Sequence, residues 1–490
     1  MTALVPPQTA TPDDTAAIAE LHDLLALQKK AFRAEPHPSL DVRRGRLGAL
    51  AGMMVMNKDR IREAVSADFA VHPELFTDLV EVLGVAGRAM YAAGQLEAWC
   101  APDERWVDPA FYGTARAAIR MQPKGVIGNI VPWNFPFDLS CGPLVEMLAA
   151  GNRVVIKPSD YTPACAELLD EMVRSTFDRD LVAVSVGGLE LAKTFPALRW
   201  DHLLYTGSPE IGKVVAKAAA ENLVPVTLEL GGKCPAVLAE DSVDEETVKT
   251  VMGTKMIKNG QMCISVDYVM VPRGQVDRFV ELAQQVVPSD YASGPDCTGI
   301  ISERHLDRLI GLVDEAQAAG VRVVQVGGEG DAGRRQLPIS LVVDPPAELG
   351  VMTEEVVGPV LPIVPYDTVE LAVDRINDGE RPLALYVFSK DQAVAEQVLA
   401  TTTSGGACIN TCASHAALPS MGFGGIGQSG SGRHHGIDGF REFSNPRGVF
   451  VRGEGDLTEA FLPPYGATAQ AIVDAVMSGG DAPVKPQGGV

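Results

Sequence analysis

From Val126 onward the 490-residue chain alternates short apolar runs with stretches of helical periodicity. That alternation is the pattern of a mostly parallel sheet with helices on both faces, a Rossmann-like arrangement. The expected strands are Val126 to Ile130, Arg153 to Ile156, Leu181 to Val186, His202 to Tyr205 and Val226 to Glu229, with helices between them such as Pro163 to Thr176 and Ile211 to Asn222. Sheets of this kind take ligands beyond the carboxyl ends of their strands, so the loops after these runs are where chemistry is expected. A second α/β unit follows Gly232. Its expected strands are Pro235 to Leu238, Tyr268 to Val271, Leu341 to Val343, Val360 to Val364 and Leu383 to Phe388, and its helices are Val243 to Asn259, Gln275 to Val287, Arg304 to Ala319 and Val369 to Ile376.

Ahead of this alternation, residues 1 to 12 read as a loose polar tail, and apolar spacing predicts helices over Asp13 to Phe32, Leu40 to Phe69 and Pro73 to Trp99. Pro102 ends that run. Trp106 to Gln122 carries β-type residues around Gly113, as in a protruding hairpin. Gly448 to Val451 reads as a late strand, and Ala467 to Met477 as one amphipathic piece in a Pro/Gly-rich tail that can pack on a partner subunit.

A net charge of −22, with no Lys/Arg block to offset it, disfavours nucleic acid and anionic membrane surfaces and leaves a small molecule as the expected partner. The 46% of hydrophobic residues suffices for large cores. The eight cysteines lie scattered, without a C-x-x-C pair or a Cys/His metal spacing, as reduced intracellular thiols do, and no metal is expected. No basic, apolar leader opens the sequence and no run approaches the ~20 apolar residues that cross a bilayer, so a cytoplasmic location is expected.

Several loops carry candidate chemistry. Pro132-Trp133-Asn134-Phe135-Pro136 fixes one side-chain amide between two prolines, either as a plain turn residue or as a preorganised donor to a developing oxyanion. Lys157-Pro158-Ser159-Asp160 offers a cation and a carboxylate to ribose hydroxyls, or forms an exposed ion pair. Thr206-Gly207-Ser208-Pro209-Glu210-Ile211-Gly212-Lys213 opens a helix and is either a phosphate seat or a capping turn. Its spacing mimics a nucleotide-triphosphate loop, but Val214 occupies the position of the magnesium-binding hydroxyl. Gly425-x-Gly427-x-x-Gly430 matches a dinucleotide fingerprint only superficially, since it lies late in the chain in a glycine-serine loop.

Two residues stand apart chemically. Glu229 closes the apolar strand before Gly231-Gly232-Lys233, where a carboxylate is costly to bury without a partner or a task. Cys263 follows in Asn259-Gly260-Gln261-Met262-Cys263. Taken singly they are a salt-bridge glutamate and a core thiol; together they supply a nucleophile and a base. Glu354-Glu355-Val356-Val357-Gly358-Pro359 is an acidic loop before a strand, either solvated or in contact with a cofactor.

With Pro132 to Pro136, Thr227 to Lys233, Gly260 to Cys263, Glu355 to Pro359 and Phe423 to Gly432 in this order, the chain resembles the aldehyde dehydrogenase superfamily over nearly its whole length. Arg381-Pro382-Leu383-Ala384-Leu385-Tyr386 and the closing His435-Gly436-x-x-Gly439-Phe440-x-x-Phe443-Ser444 resemble most the coniferyl aldehyde dehydrogenase branch, near the class 3 enzymes. The resemblance implies an α/β fold in which a Rossmann-like cofactor domain (1–101 and 121–230) adjoins a second α/β catalytic domain (231–440). A small β oligomerisation arm and tail (102–120 and 441–490) would complete it, in a homodimer.

It implies that Cys263 attacks an aldehyde carbon while Asn134 and the Cys263 amide hold the oxyanion, that hydride passes to NAD, and that Glu229 activates water to release the acid from a thioester. Ser208, Gly207 and Gly212 would seat the pyrophosphate, Lys157 and Asp160 the adenosine ribose, Glu355 the nicotinamide ribose, and Pro132 and Trp133 would border the cofactor. The substrate would be an aromatic, phenylpropanoid or medium-chain aliphatic aldehyde. Transfer of the acyl group to coenzyme A or phosphate, and a catalytically silent binding relative, are the alternatives. Asp160 stands where the family commonly has Glu, which weakens repulsion of a 2′-phosphate and brings NADP into reach. Val357 stands where the family has Phe, so an aromatic face is lost.

Overall fold

The computed structural model describes residues 14–478; the expected loose tail over residues 1–12 and the last part of the C-terminal tail lie outside the described residues. Its strands form three sheets. The six-stranded sheet runs, edge to edge, Gly430–Ser431, Val226–Leu230, His202–Gly207, Val126–Ile130, Arg153–Lys157 and Val182–Val184. It is parallel except at the Gly430–Ser431 edge. The seven-stranded sheet runs Arg322–Val326, Ile339–Val343, Val360–Tyr366, Tyr268–Pro272, Pro235–Leu238, Ala384–Phe388 and Gly406–Ile409. Here only the Arg322–Val326 edge is antiparallel. Helices cover both faces, so central strands such as Arg153–Lys157 and Tyr268–Pro272 are buried at every position, with apolar runs such as Val154 to Ile156 in place of an alternating pattern.

The third sheet is antiparallel and joins Asp103–Arg105, Arg116–Pro123 and Ser444–Val451. The expected hairpin exists, but with other limits. Its first strand precedes Trp106, and the connection holds a helical turn, Pro109–Tyr112, capped by Asp108 accepting from the Ala110 amide at 2.9 Å. Gly113 follows with φ 55°, where a Cβ would strike the Glu454 carbonyl.

The leading helices also differ in detail. The expected Leu40 to Phe69 helix is two, Leu40–Met56 and Lys58–Phe69, broken at Asn57, whose amide donates to the Met53 carbonyl at 2.8 Å. The segment expected as Pro73 to Trp99 opens with Glu74–Phe76 and a π-helical turn, Thr77–Val82, before Leu83–Cys100. Such a turn is rotated relative to an α-helix, and here Glu81 is wholly buried.

Some elements carried no usable signal. Helix Asp138–Ala150 is buried almost all round and contains Pro143, so it lacks an amphipathic period. Strand Arg322–Val326 is a polar, half-exposed edge. Gly430–Ser431, expected to lie within a turn-rich loop, is the antiparallel edge of the first sheet, with Gly430 opposite Glu229. Gly430 has φ 147°, and a Cβ there would strike the Leu228 carbonyl. The tail helix Ala467–Met477 buries none of its residues within the chain.

Candidate active site

Strand Val226–Leu230 places Glu229 at a sheet end with its side chain buried, against the backbone of Gly425 in the glycine loop. Burial drives its carboxyl well above the usual range, while Arg433 and the Gly425 backbone pull the other way. Its Oε1 has no hydrogen-bond partner. Arg433 is fixed by donating to the carbonyls of Gly405 (3.0 Å) and Gly424 (3.2 Å).

Cys263 is partly exposed, at the end of a strained approach. Lys258, Asn259 and Gly260 take left-handed φ values of 51°, 52° and 75° in succession. A Cβ on Gly260 would strike the Gly358 carbonyl, so this turn presses on the acidic loop. Gln261 locks it by donating to the carbonyls of Lys258 and Gly299, both at 3.0 Å, and accepting from the Ile301 amide at 3.0 Å. Burial, then Glu229, Glu355 and Cys234, raises the thiol well above its ordinary pKa, opposed by the Ile264 amide. Cys263 thus sits as a protonated thiol, with the Glu229 and Glu355 carboxyl groups within electrostatic reach.

Asn134 lies in the loop between strand Val126–Ile130 and helix Asp138–Ala150, where it is buried and its Oδ1 lacks a partner. Because O and N of an amide are assigned by their surroundings, the orphan marks an amide end with nothing yet to bind.

Glu355 packs onto Gly231, where any Cβ would meet its carboxyl group. Burial and Asp267 push that carboxyl up to about 8, although the residue as a whole is only half-buried; the Gly232 backbone, Lys233 and Arg308 oppose the shift. The loop is staked from below. Lys233 pairs with Asp267 and donates to the carbonyls of Val351 (3.0 Å) and Glu354 (2.8 Å). Asp267 accepts from the Val356 amide at 2.8 Å, and Arg308 donates to the carbonyls of Glu355 and Val356. These ties hold Val357 at φ 46°, a region β-branched residues avoid, at a cost of about 1–3 kcal/mol. Sequence reasoning missed Arg308, Arg433 and Asp267, since a single charge inside a helix or loop does not announce which carbonyl it reaches.

The remaining candidates border the first sheet. Lys157 is buried and pairs with exposed Asp160 at 2.7 Å, so its charge is balanced within the chain while the carboxylate stays accessible. Ser208 caps helix Pro209–Ala220, accepting from the Ile211 amide at 3.4 Å and leaving its hydroxyl proton for an anion. Gly207 and Gly212 give a bare backbone: a Cβ on the first would strike the Tyr205 hydroxyl and on the second the Leu230 side chain. Pro132 and Trp133 are half-buried, and the Trp133 ring meets His305 edge-on at 5.2 Å, as does Tyr161. Bare glycines, a helix N-terminus and an accessible carboxylate on neighbouring loops of one parallel sheet are chemically suited to a dinucleotide. Among the described residues no cluster of metal-ligating side chains occurs, and no helix is long and apolar enough to cross a membrane.

Comparison with known proteins agrees with this geometry. The family profile described as "Aldehyde dehydrogenase family" matches residues 9–449. A probable coniferyl aldehyde dehydrogenase of Caulobacter vibrioides is 41% identical over 91% of this chain and 95% of that protein. Among solved structures, a substrate-bound Staphylococcus aureus AldH superposes with a TM-score of 0.87 at 29% identity, covering 93% of this chain and 99% of that one. A Mycobacterium tuberculosis aldehyde dehydrogenase complexed with NAD+ gives 0.80 at 27% identity, over 89% and 90% of the two chains. The chain belongs to the aldehyde dehydrogenase family. It is an enzyme of that class, oxidising an aldehyde to its carboxylic acid with NAD as the cofactor.

Proposed function

We propose that this enzyme works through a covalent thioester on Cys263 and takes aromatic, phenylpropanoid-type aldehydes. The observation that carries the reading is a partly exposed thiol within electrostatic reach of two carboxyl groups, with Asn134 Oδ1, in the loop after Val126–Ile130, and Glu229 Oε1, in strand Val226–Leu230, both buried without partners. Cys263 gives its proton to solvent water as the sulfur bonds to the aldehyde carbon, the C=O π pair moves onto oxygen, and the Asn134 amide with the Cys263 backbone N–H takes up that negative oxygen. Bound NAD supplies the hydride acceptor. Glu229 then draws a proton from water as that water attacks the thioester, and the acid leaves with Cys263 restored as a thiol.

For the cofactor, Ser208 and the Gly207 and Gly212 backbone receive the pyrophosphate, while Asp160, held by Lys157, accepts from the adenosine ribose. Glu355 accepts from the second ribose, and Pro132 and Trp133 line the path between. Exposed Ile211 and Val214, one helical turn apart, offer an apolar bed for adenine. The unit 1–101 with 121–230 holds the cofactor, 231–440 carries the nucleophile, and 102–120 with 441–490 joins two copies into a cytoplasmic homodimer. The coniferyl-type substrate rests on the 41% identity to the Caulobacter protein.

The test is NADH formation over a panel of cinnamyl, benzyl and medium-chain aliphatic aldehydes, with the product identified by mass. The expected result is highest kcat/KM for an aromatic aldehyde, a free acid even when coenzyme A is present, and no turnover by Cys263→Ala. Acyl-coenzyme A as the product would transfer the reading to the acylating enzymes.

A further inference from the structure

Glu81 and Lys258 form an ion pair at 3.2 Å in which both side chains are 0% exposed. Resting on the reading of the site just given, we infer that this pair is a positioning device that sets the Asn134 loop against the Cys263 loop. Each end of the pair is anchored to one of the two loops. Glu81 Oε1 takes the lysine, while Oε2 accepts from the Phe137 amide at 3.0 Å and the Asp138 amide at 2.7 Å, directly after Pro132–Pro136. Lys258 leads the left-handed turn that delivers Cys263, and its ammonium lies 4.4 Å from the centre of the Phe135 ring, adjacent in sequence to Asn134, and 4.6 Å from that of Phe69. The amide donor and the nucleophile are thus joined through one charged contact sandwiched between aromatic faces.

Two features of the backbone serve this contact. The π-helical turn Thr77–Val82 contains Glu81, and Lys258 accepts a left-handed φ of 51° that a glycine would adopt more readily. A buried pair of opposite charges brings little or no stability compared with apolar residues of the same volume, because both ions lose their water. What such a pair does supply is a fixed distance and direction, and here these lie between the two groups that must meet one substrate carbon.

The test compares the wild type with the double variant Glu81→Leu/Lys258→Met, which keeps the volume and removes both charges. Three readouts are taken: the thermal melt, the rate of Cys263 alkylation by iodoacetamide, and the rate of the NADH burst on rapid mixing with NAD and aldehyde. Alkylation needs the thiol but no oxyanion donor, whereas the burst needs both. The expected result is a cooperative melt and alkylation within about threefold of wild type, with the burst slowed on the order of 10²-fold, the loss typical of a misplaced oxyanion donor. A burst within threefold of wild type, or alkylation and burst falling together, would overturn the inference. Should the double variant be insoluble, Glu81→Gln replaces it, with a roughly tenfold slower burst at unchanged alkylation expected and an unchanged burst counting against the pair. Asn134→Ala is run alongside. If it keeps a wild-type burst, the reading of the site fails; if it loses the burst while the pair variants keep theirs, only the role of the pair fails.

Discussion

Arg433 lies near Glu229 and favours its ionised form against the burial that opposes it. A carboxyl must be ionised to accept a proton, so removing that cation raises the Glu229 pKa further and leaves less base at neutral pH. Arg433→Met is therefore expected to move the rising limb of the deacylation rate to higher pH while leaving the NADH burst in place; an unchanged limb in stopped-flow profiles would contradict this. Asp160 gives a second prediction at this scale. Its accessible carboxylate repels a 2′-phosphate, and Lys157 is already neutralised by it at 2.7 Å. Asp160→Ala removes the repulsion and frees the lysine to pair with phosphate, so the ratio of kcat/KM for NADP to that for NAD is expected to rise roughly tenfold or more. A constant ratio removes Asp160 from the ribose site. The thiol, the strand-end glutamate and the proline-flanked asparagine were legible in the sequence only as a set, through the order of their motifs, since each taken singly reads as an ordinary core, ion-pair or turn residue. Arg433, Arg308, Glu81 and Lys258 were not, because their meaning lies in partners far along the chain, as with the 177 positions between Glu81 and Lys258.

Helix Asp138–Ala150 connects the Asn134 loop to the interior, and it carries a buried acid, Glu146, whose Oε1 accepts from the Gly436 amide at 3.1 Å while Oε2 has no partner. Burial pushes this carboxyl up to about 7, opposed by Arg88. A carboxyl raised in the folded state holds its proton longer there than in the unfolded chain, so its contribution is fully present below the unfolded pKa and is lost as pH rises to about 7. From an unfolded value near 4.3, the loss amounts to about 4 kcal/mol. Glu146→Gln keeps the acceptor and offers an N–H at the orphan position, so it is expected to raise the melting temperature at pH 8 and change it little at pH 4.5. Equal effects at both pH values would contradict the assignment. At the scale of elements, alternating apolar strands and amphipathic helices were readable because burial on two faces, or on one stripe, leaves a period. Helix Asp138–Ala150 leaves none, being buried on almost every side, and the edge Gly430–Ser431 owes its pairing to backbone approach that only glycine permits.

The third sheet exposes the outer edge of Ser444–Val451, with Phe450 and Val451 each half exposed, and the tail helix Ala467–Met477 has Val473, Val476 and Met477 open to solvent. An unpaired edge with exposed apolar residues and an uncovered apolar helix are aggregation hazards unless another chain covers them. Light scattering at micromolar concentration is expected to give twice the 51.9 kDa chain mass, and a monomer would contradict the proposed dimer. Under the proposed reading the two large sheets divide the labour: the first carries Glu229 in its strand Val226–Leu230 and Asn134 in the loop after Val126–Ile130, segments flanking the second carry Cys263 and Glu355, and Gly430–Ser431 ties the later part of the chain back to the strand that holds Glu229. In the proposed mechanism the aldehyde carbon becomes bonded to Cys263 and Glu229 releases it. Glu229→Gln, mixed with NAD and an aromatic aldehyde, quenched in acid and analysed by peptide mass, tests this directly. The expected result is a rapid NADH burst of about one equivalent per site and an acyl mass on the peptide containing Cys263. Steady turnover at the wild-type rate with no acyl group on Cys263 would contradict it.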